Sequence, residues 1–463
     1  MKRLIITITT CFVVLISNSQ EYFQQKVDTY IDVELDDKNH ILRGFEKMVY
    51  YNNSSLNLDK IIIHLWPNAY KNSNTNLAKQ KYSDGSISFK YADSIDLGYI
   101  DSLDFKVNGE NVKWQFLNEQ IDISELRLTK PLKPGDSIII TTPFRVKIPS
   151  GKFSRLGHIG QSYQITQWFA KPAVFDKNGW HPMSYLDQGE FFSEFGNYDV
   201  SITVPKNYVL MATGDLQNEE ELEFLNEKAE LTSQLIEENK LPVRDSLGRK
   251  DMSFPKSSAE KKTLRFIQKN VHDFAWFTDK RYHVLKGEVN VNKRKITSWA
   301  LFTNNEAKLW RRSIEYINDA TRYFSKWVGE YPYNHVTAVD GTISAGGGME
   351  YPNITVIGSS GDSKSLETVI VHEVGHNWYY GILGSNERDN AWMDEGLNTY
   401  IEIRYMEEKY PNGYFRKKDS TQNKSRGISL NIPMEEKELQ HIAYQFNASR
   451  NYDQPLKLSL IHI

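Results

Sequence analysis

Between Val369 and Tyr400 the chain reads Val-Ile-Val-His372-Glu373-Val-Gly-His376-Asn-Trp and then, a few residues on, Trp392-Met-Asp-Glu395-Gly-Leu-Asn-Thr-Tyr400. No other stretch limits the fold so strongly. Two histidines four residues apart lie on one face of a helix, so both imidazoles can address a single point. Glu373 stands beside them, able to reach a water held at that point. Glu395 follows His376 after eighteen intervening residues, room for one helix to end near Gly381 and a second to return antiparallel. His372, His376 and Glu395 make a three-ligand set, which suits one zinc ion with its fourth position open to water or substrate. H-E-x-x-H alone arises by chance in many sequences. Here the apolar run from Ser365 to Val371, the spacing of the third ligand and the aromatics in both segments act together to predict a zinc site.

The start of the chain predicts its compartment. Lys2 and Arg3 precede an apolar run from Leu4 to Ile16, which ends in Ser17-Asn18-Ser19. This is the pattern of a secretory signal peptide over residues 1–19, with a core too short for a convincing membrane span. The expectation is an exported protein whose mature chain carries no integral membrane segment. Cys11 is the only cysteine of the 463 residues and falls within this leader, so disulfide and thiol chemistry are not expected in the mature chain. Losing Lys2 and Arg3 takes the formal charge from −3 to −5. With both signs of charge mixed throughout, neither a nucleic-acid surface nor a basic membrane patch is indicated.

Hydrophobic residues make up 40% of the chain, enough for two or more domains with real cores. From Tyr22 to about Leu216 the pattern is that of strands. Ile31, Val33 and Leu35 alternate with Asp32, Glu34 and Asp36, as in a strand buried on one face. Ile61 to Trp66 is a continuous apolar run closed by Pro67. Asn108-Gly109 and Pro134-Gly135-Asp136 mark turns, and Val200, Ile202 and Val204 alternate again. Short strands between turn signals predict an all-β sandwich-like domain, over residues 20–297. A charged stretch at about 218–262 interrupts it and reads as a loosely packed, solvated insertion.

From about Thr303 the period changes. Trp310, Ile314, Ile317, Thr321, Phe324 and Val328 form a 3.6-residue stripe, an amphipathic helix with a buried face. Strands are expected at Val336–Asp340 and Ile354–Ile357, a metal helix from near Ser363, and a partner helix from about Ala391 to Glu408. This second, mixed half is placed at residues 298–463, giving a multidomain α+β chain. A glycine-rich strand edge at Gly346 to Gly348 would let an extended peptide approach closely and pair as an added strand. Glu373, next to a ligand but free of the metal, is the expected catalytic general base and then acid toward a zinc-activated water. His64, His158, His181 and His335 lack partner motifs and read as core or surface histidines. Thr399, one helical turn past Glu395, is a candidate to hold a ligand histidine from behind.

The H372-E-V-G-H376 pattern with eighteen residues to Glu395 resembles the zinc aminopeptidases of the aminopeptidase N family. Just upstream, Gly347-Gly348-Met349-Glu350-Tyr351 is similar to that family's G-x-M-E-N motif, with Tyr351 where Asn is usual. The resemblance implies a β domain followed by a thermolysin-like, gluzincin catalytic domain, and peptide substrates with a free N-terminus. It implies that Glu350 pairs with the substrate's α-ammonium group, and that Gly347, Gly348 and Met349 line the substrate cleft. Gln167, in Thr166-Gln167-Trp168-Phe169-Ala170, resembles the glutamine that the family's β domain sends into that cleft. Phe169 departs from the acidic or amide residue many members carry. The family's oxyanion-stabilising tyrosine lies in a Tyr-x-Lys context, and none follows Tyr410. The expectation is therefore a catalytic domain incomplete at its C-terminal end. Two alternatives stand beside the aminopeptidase reading: a zinc-holding, peptide-binding relative with little turnover, and a relative of the leukotriene-epoxide hydrolases, which share the zinc set and a G-G-M-E motif.

Overall fold

The computed structural model describes residues 22–341 and 347–411, together with Gln445 and Ser449. The leader, Gly346 and the expected incomplete C-terminal end lie outside these residues.

Alternation in the first half becomes sheet. The strand Lys26–Asp36 buries Ile31, Val33 and Leu35 on one face and exposes Asp32 and Glu34 on the other. It pairs antiparallel with Ile41–Tyr51, register Leu35 to Leu42, and parallel with Gly196–Pro205, register Ile31 to Val200. These belong to a nine-stranded sheet that also takes in Ser137–Lys147 and Lys261–Val271. Two four-stranded sheets face its buried side through one shared hydrophobic cluster. One contains the apolar strand Leu58–His64, and the other contains Ser162–Ile165 and Trp276–Asp279. Trp168 and Trp276 meet edge to face in that core, ring centres 6.2 Å apart.

The charged stretch departs from its expectation. Glu219–Glu237 is a regular helix that buries Leu225, Ala229 and Thr232. The Thr232 hydroxyl accepts the Val284 amide at 3.1 Å, and Glu221 pairs with Lys262 at 2.6 Å. Three apolar or small residues at helical spacing were enough to dock it, despite the surrounding Glu and Lys. The chain then returns to the same sheet at Lys261–Val271.

A five-stranded sheet organises the second half, in the order His283–Val291, Arg294–Phe302, His335–Asp340, Ile354–Ile357, Gly348–Tyr351. The expected boundary at residue 297 falls inside the second of these strands, so this sheet begins at His283 and not after 297. The crossover between the parallel strands Arg294–Phe302 and His335–Asp340 is the stripe helix, Ser313–Trp327. It buries Ile317, Thr321 and Phe324 as the stripe predicts, whereas Val328 at its end is exposed. Gly348–Tyr351 ends the sheet, paired on one side with Ile354–Ile357.

The helix Ser363–Tyr379 lies against this sheet edge and the stripe helix. Asp362 caps it, accepting the Lys364 and Ser365 amides. Gly375 is small for a reason: a Cβ there would overlap the Phe324 ring on one neighbouring helix and Asn398 on another. The expected continuous partner helix is instead broken. Glu387–Ala391 ends in a non-helical Asn390 (φ −136°, ψ 46°), Trp392–Gly396 is a π turn, and Leu397–Lys409 is regular helix. No helix among the described residues is long and apolar enough to cross a membrane.

Candidate metal centre

His372 and His376 project from one face of their helix, and the π turn brings Glu395 to the same point. The donor atoms of the three side chains all lie within 4.8 Å of one another. The two Nε2 atoms are 3.0 Å apart, and Glu395 Oε2 is 3.2 Å from one and 3.7 Å from the other.

Each ring is oriented from behind by a carboxylate. His372 Nδ1 donates to Glu402 Oε2 at 2.9 Å, and His376 Nδ1 donates to Asp394 Oδ1 at 2.6 Å. With the Nδ1 protons so engaged, both Nε2 lone pairs turn inward, toward each other and toward a carboxylate oxygen. Three acceptors facing one point repel unless a cation sits among them. The set fits zinc: two imidazole nitrogens and one carboxylate, with carboxylate-to-histidine bonds outside them. Glu402 occupies the place expected of Thr399, which is half-buried on the same helix. Asp394 and Glu402 were missed because counting from Glu395 in steps of four assumes a regular helix. The residue before a ligand and the residue two turns after it are the signals that point to them.

Glu373 is buried against Gly348. A Cβ at that glycine would overlap the Glu373 carboxyl, so the glycine makes room for this side chain. Glu373 Oε2 has no partner among the described residues. Burial pushes its carboxyl up to about 8, with His372 opposing the shift and Glu395 adding to it. A divalent cation beside it would draw that value down.

The edge strand brings Met349 and Glu350 to the same place, both buried. Glu350, Glu373 and His376 have polar atoms within 4.8 Å of one another. Gly347 immediately precedes that strand. Gln167 is buried in the β half with a φ of +46°. Its carbonyl accepts the Tyr351 hydroxyl at 3.1 Å and its amide reaches Asp273 at 3.4 Å. It stands one residue away from Glu350, behind Tyr351, and is not in the carboxylate group. The other singled-out histidines are elsewhere: His64 accepts the Met183 amide, His335 bonds the Gly214 carbonyl, His181 pairs with Asp176, and His158 stacks on His40.

Residues 313–456 match the model of the peptidase family M1 domain. Leucine aminopeptidase 2-1 of Meyerozyma guilliermondii is 36% identical over 63 residues, 13% of this chain and 10% of that protein. Leukotriene A-4 hydrolase of Xenopus laevis is 38% identical over 61 residues, 12% of this chain and 10% of that protein. The aligned stretch thus spans about a tenth of each of these curated relatives. Over most of its length the chain shares its fold with an M1 zinc metallopeptidase mutant from Deinococcus radiodurans, with a TM-score of 0.54 at 13% identity, covering 94% of this chain and 77% of that one. The same protein bound to a Tyr-Ser-Ala substrate superposes with a TM-score of 0.53 at 13% identity and the same coverage. The common architecture is a β-rich half followed by a mixed helical and β half.

Proposed function

We propose that this chain is an exported zinc aminopeptidase of the M1 type, removing N-terminal residues from peptides, a reading supported by the match of residues 313–456 to the peptidase family M1 domain. The observation that carries the reading is the convergence of His372, His376 and Glu395 within 4.8 Å, with Glu373 and Glu350 facing the same point. Zinc held there would supply Lewis acidity toward a carbonyl and toward a water. The chain's own groups do the rest. Glu402 and Asp394 keep both histidine Nε2 atoms free to bind the metal. Glu373 takes a proton from the attacking water on its free Oε2 and returns it to the departing amine. Gly348–Tyr351 offers the open edge of a sheet, where an extended peptide can pair as a further strand. Glu350, at the inner end of that edge, accepts the substrate's N-terminal ammonium and so limits cleavage to the first residue. Export is supported by the charged, then apolar, leader of residues 1–19.

The experiment is turnover of aminoacyl anilides and of short peptides, free or N-acetylated, with metal analysis of the same preparations. Free N-termini are expected to be hydrolysed and acetylated ones spared. Glu373→Gln is expected to keep its zinc and lose about 10²–10⁴-fold in rate. Near-normal turnover by that variant would remove Glu373 from the role given to it.

A further inference from the structure

A second group of buried acids overlaps the first, and one of its members, Glu387, is not used by the steps above. Glu350, Glu387 and Asp394 place carboxylate oxygens within 4.8 Å of one another. Glu387 is completely buried, in the short helix Glu387–Ala391 just ahead of the helix break. Four of these oxygens, Glu350 Oε1, both of Glu387 and Asp394 Oδ2, meet no hydrogen-bond partner among the described residues. The Tyr380 hydroxyl, on a different element, is likewise buried and unpartnered. Glu387 and Glu350 are among the acids whose field acts on it.

Among the described residues, the two arginines beside this group are committed elsewhere. Arg388, the neighbour of Glu387, gives its N–H groups to the backbone carbonyls of Ser184, Gly189 and Glu190. Arg155 is bound to the Glu190 carboxylate at 3.0 Å. Arg388 thereby pins the 184–190 loop of the β half against the helix that carries Glu387. An unpaired buried carboxylate is among the costliest groups a fold can hold, and here several share one site. Such a site is built for a cation brought from outside.

We propose that Glu387 joins Glu350 as the receptor for the substrate's N-terminal ammonium group. Glu350 Oε1 and the two oxygens of Glu387 are three free acceptors, and a primary ammonium carries three N–H donors. The inference rests on the aminopeptidase reading and deepens it: one carboxylate comes from the sheet edge and the second from the short helix after the metal helix. Tyr380 stands by as a neutral polar wall. A compact ammonium is held from two sides, which excludes acylated N-termini by charge and by room.

The test measures binding of three amides to the zinc-loaded protein by calorimetry: leucinamide, argininamide, and 4-methylpentanamide, which is leucinamide without its amine. In the wild type leucinamide is expected to bind far more tightly than 4-methylpentanamide. Glu387→Gln is expected to weaken leucinamide and argininamide alike, by about 10- to 100-fold, leaving 4-methylpentanamide and the zinc content unchanged. Glu387→Asp, which keeps the charge, is expected to retain the preference for an amine and guards against a Gln variant that misfolds. Equal leucinamide binding by wild type and Glu387→Gln would overturn the proposal. So would a loss confined to argininamide, which would make Glu387 a pocket for a basic side chain. A second equivalent of zinc that disappears in Glu387→Gln would overturn it in favour of a metal site. The peptidase reading fails separately: a wild type that binds leucinamide through Glu387 but leaves leucine 4-nitroanilide intact would keep the receptor and lose the reaction.

Discussion

Buried charge is handled differently in the first half of this molecule and around the metal centre. In the β half Arg155 faces Glu190 at 3.0 Å, Lys171 faces Asp273 at 2.8 Å and Arg281 faces Asp279 at 2.6 Å, while the buried Lys280 bonds Gln161 and Ser257. The second half does the same away from the centre, where Lys409 meets Glu367 at 2.7 Å and Asp319 at 2.8 Å. At the centre the acids collect without counterions. Glu350, Glu373 and Glu387 all keep free oxygens there, whereas Asp394 and Glu402 are tied to the outer nitrogens of the two histidines. A closed pair needs nothing further, whereas open acids mark the place where a metal and a substrate complete the charge balance.

The comparison breaks most clearly at Arg155. Replacing it with Met leaves Glu190 buried without its cation, in a loop that already borders the acidic centre. The expected cost is about 3–5 kcal/mol of unfolding free energy, read by chemical denaturation at neutral pH. A change under about 1 kcal/mol, within the spread of ordinary surface substitutions, would show that the pair does not hold the half together.

Asp394 sharpens the boundary between the two kinds of acid, because one oxygen holds His376 and the other is free. If its bond to the ring is what matters, Asp394→Asn should weaken zinc binding about 10- to 100-fold, and Glu402→Gln should do likewise through His372. Competition against a chelator measures this. Unaltered zinc affinity in Asp394→Asn would place Asp394 with the open acids.

The smallest effect concerns neutral histidines. Burial pushes His272 down to about 4 and His64 down to about 3. Both are uncharged when folded near neutrality, while the unfolded chain takes up protons at ordinary histidine values. Their contribution to stability is present above about 6.5 and is lost as the pH falls toward their folded values. Between pH 6.5 and 5.5 each should cost roughly 1 kcal/mol. His272→Gln should show a shallower decline than the wild type over that interval. Parallel declines would mean that His272 takes up its proton in the fold as readily as in the unfolded chain.

Several of these features could be read along the chain. Ile31, Val33 and Leu35 gave away a strand by a period of two, and Ile317, Thr321 and Phe324 a helix by a period of 3.6. His372 and His376 share a helix face through four-residue spacing alone, and Asp362 caps that helix from its own sequence context. The docked helix Glu219–Glu237 is not legible in this way, because its charged composition outweighs three buried positions when no partner surface is in view. That partner, the strand His283–Val291, lies far along the chain.

What the sequence determined by itself is whatever neighbours along the chain decide: strand alternation, helix faces, the two ligand histidines, and the glycine-rich edge with Glu350. Tertiary structure alone decided the rest. The π turn at Trp392–Gly396 and the break at Asn390 set the faces on which Glu387, Asp394, Glu395 and Glu402 emerge, and the π turn packs against the metal helix. Gly348 is needed because Glu373, from another element, fills the space beside it. Whether a buried carboxylate is paired or open depends on groups hundreds of residues away, as Arg388 shows by spending its donors on the 184–190 loop and not on Glu387. Local periodicity carries no information about such contacts, because their energy is gained only when distant segments meet.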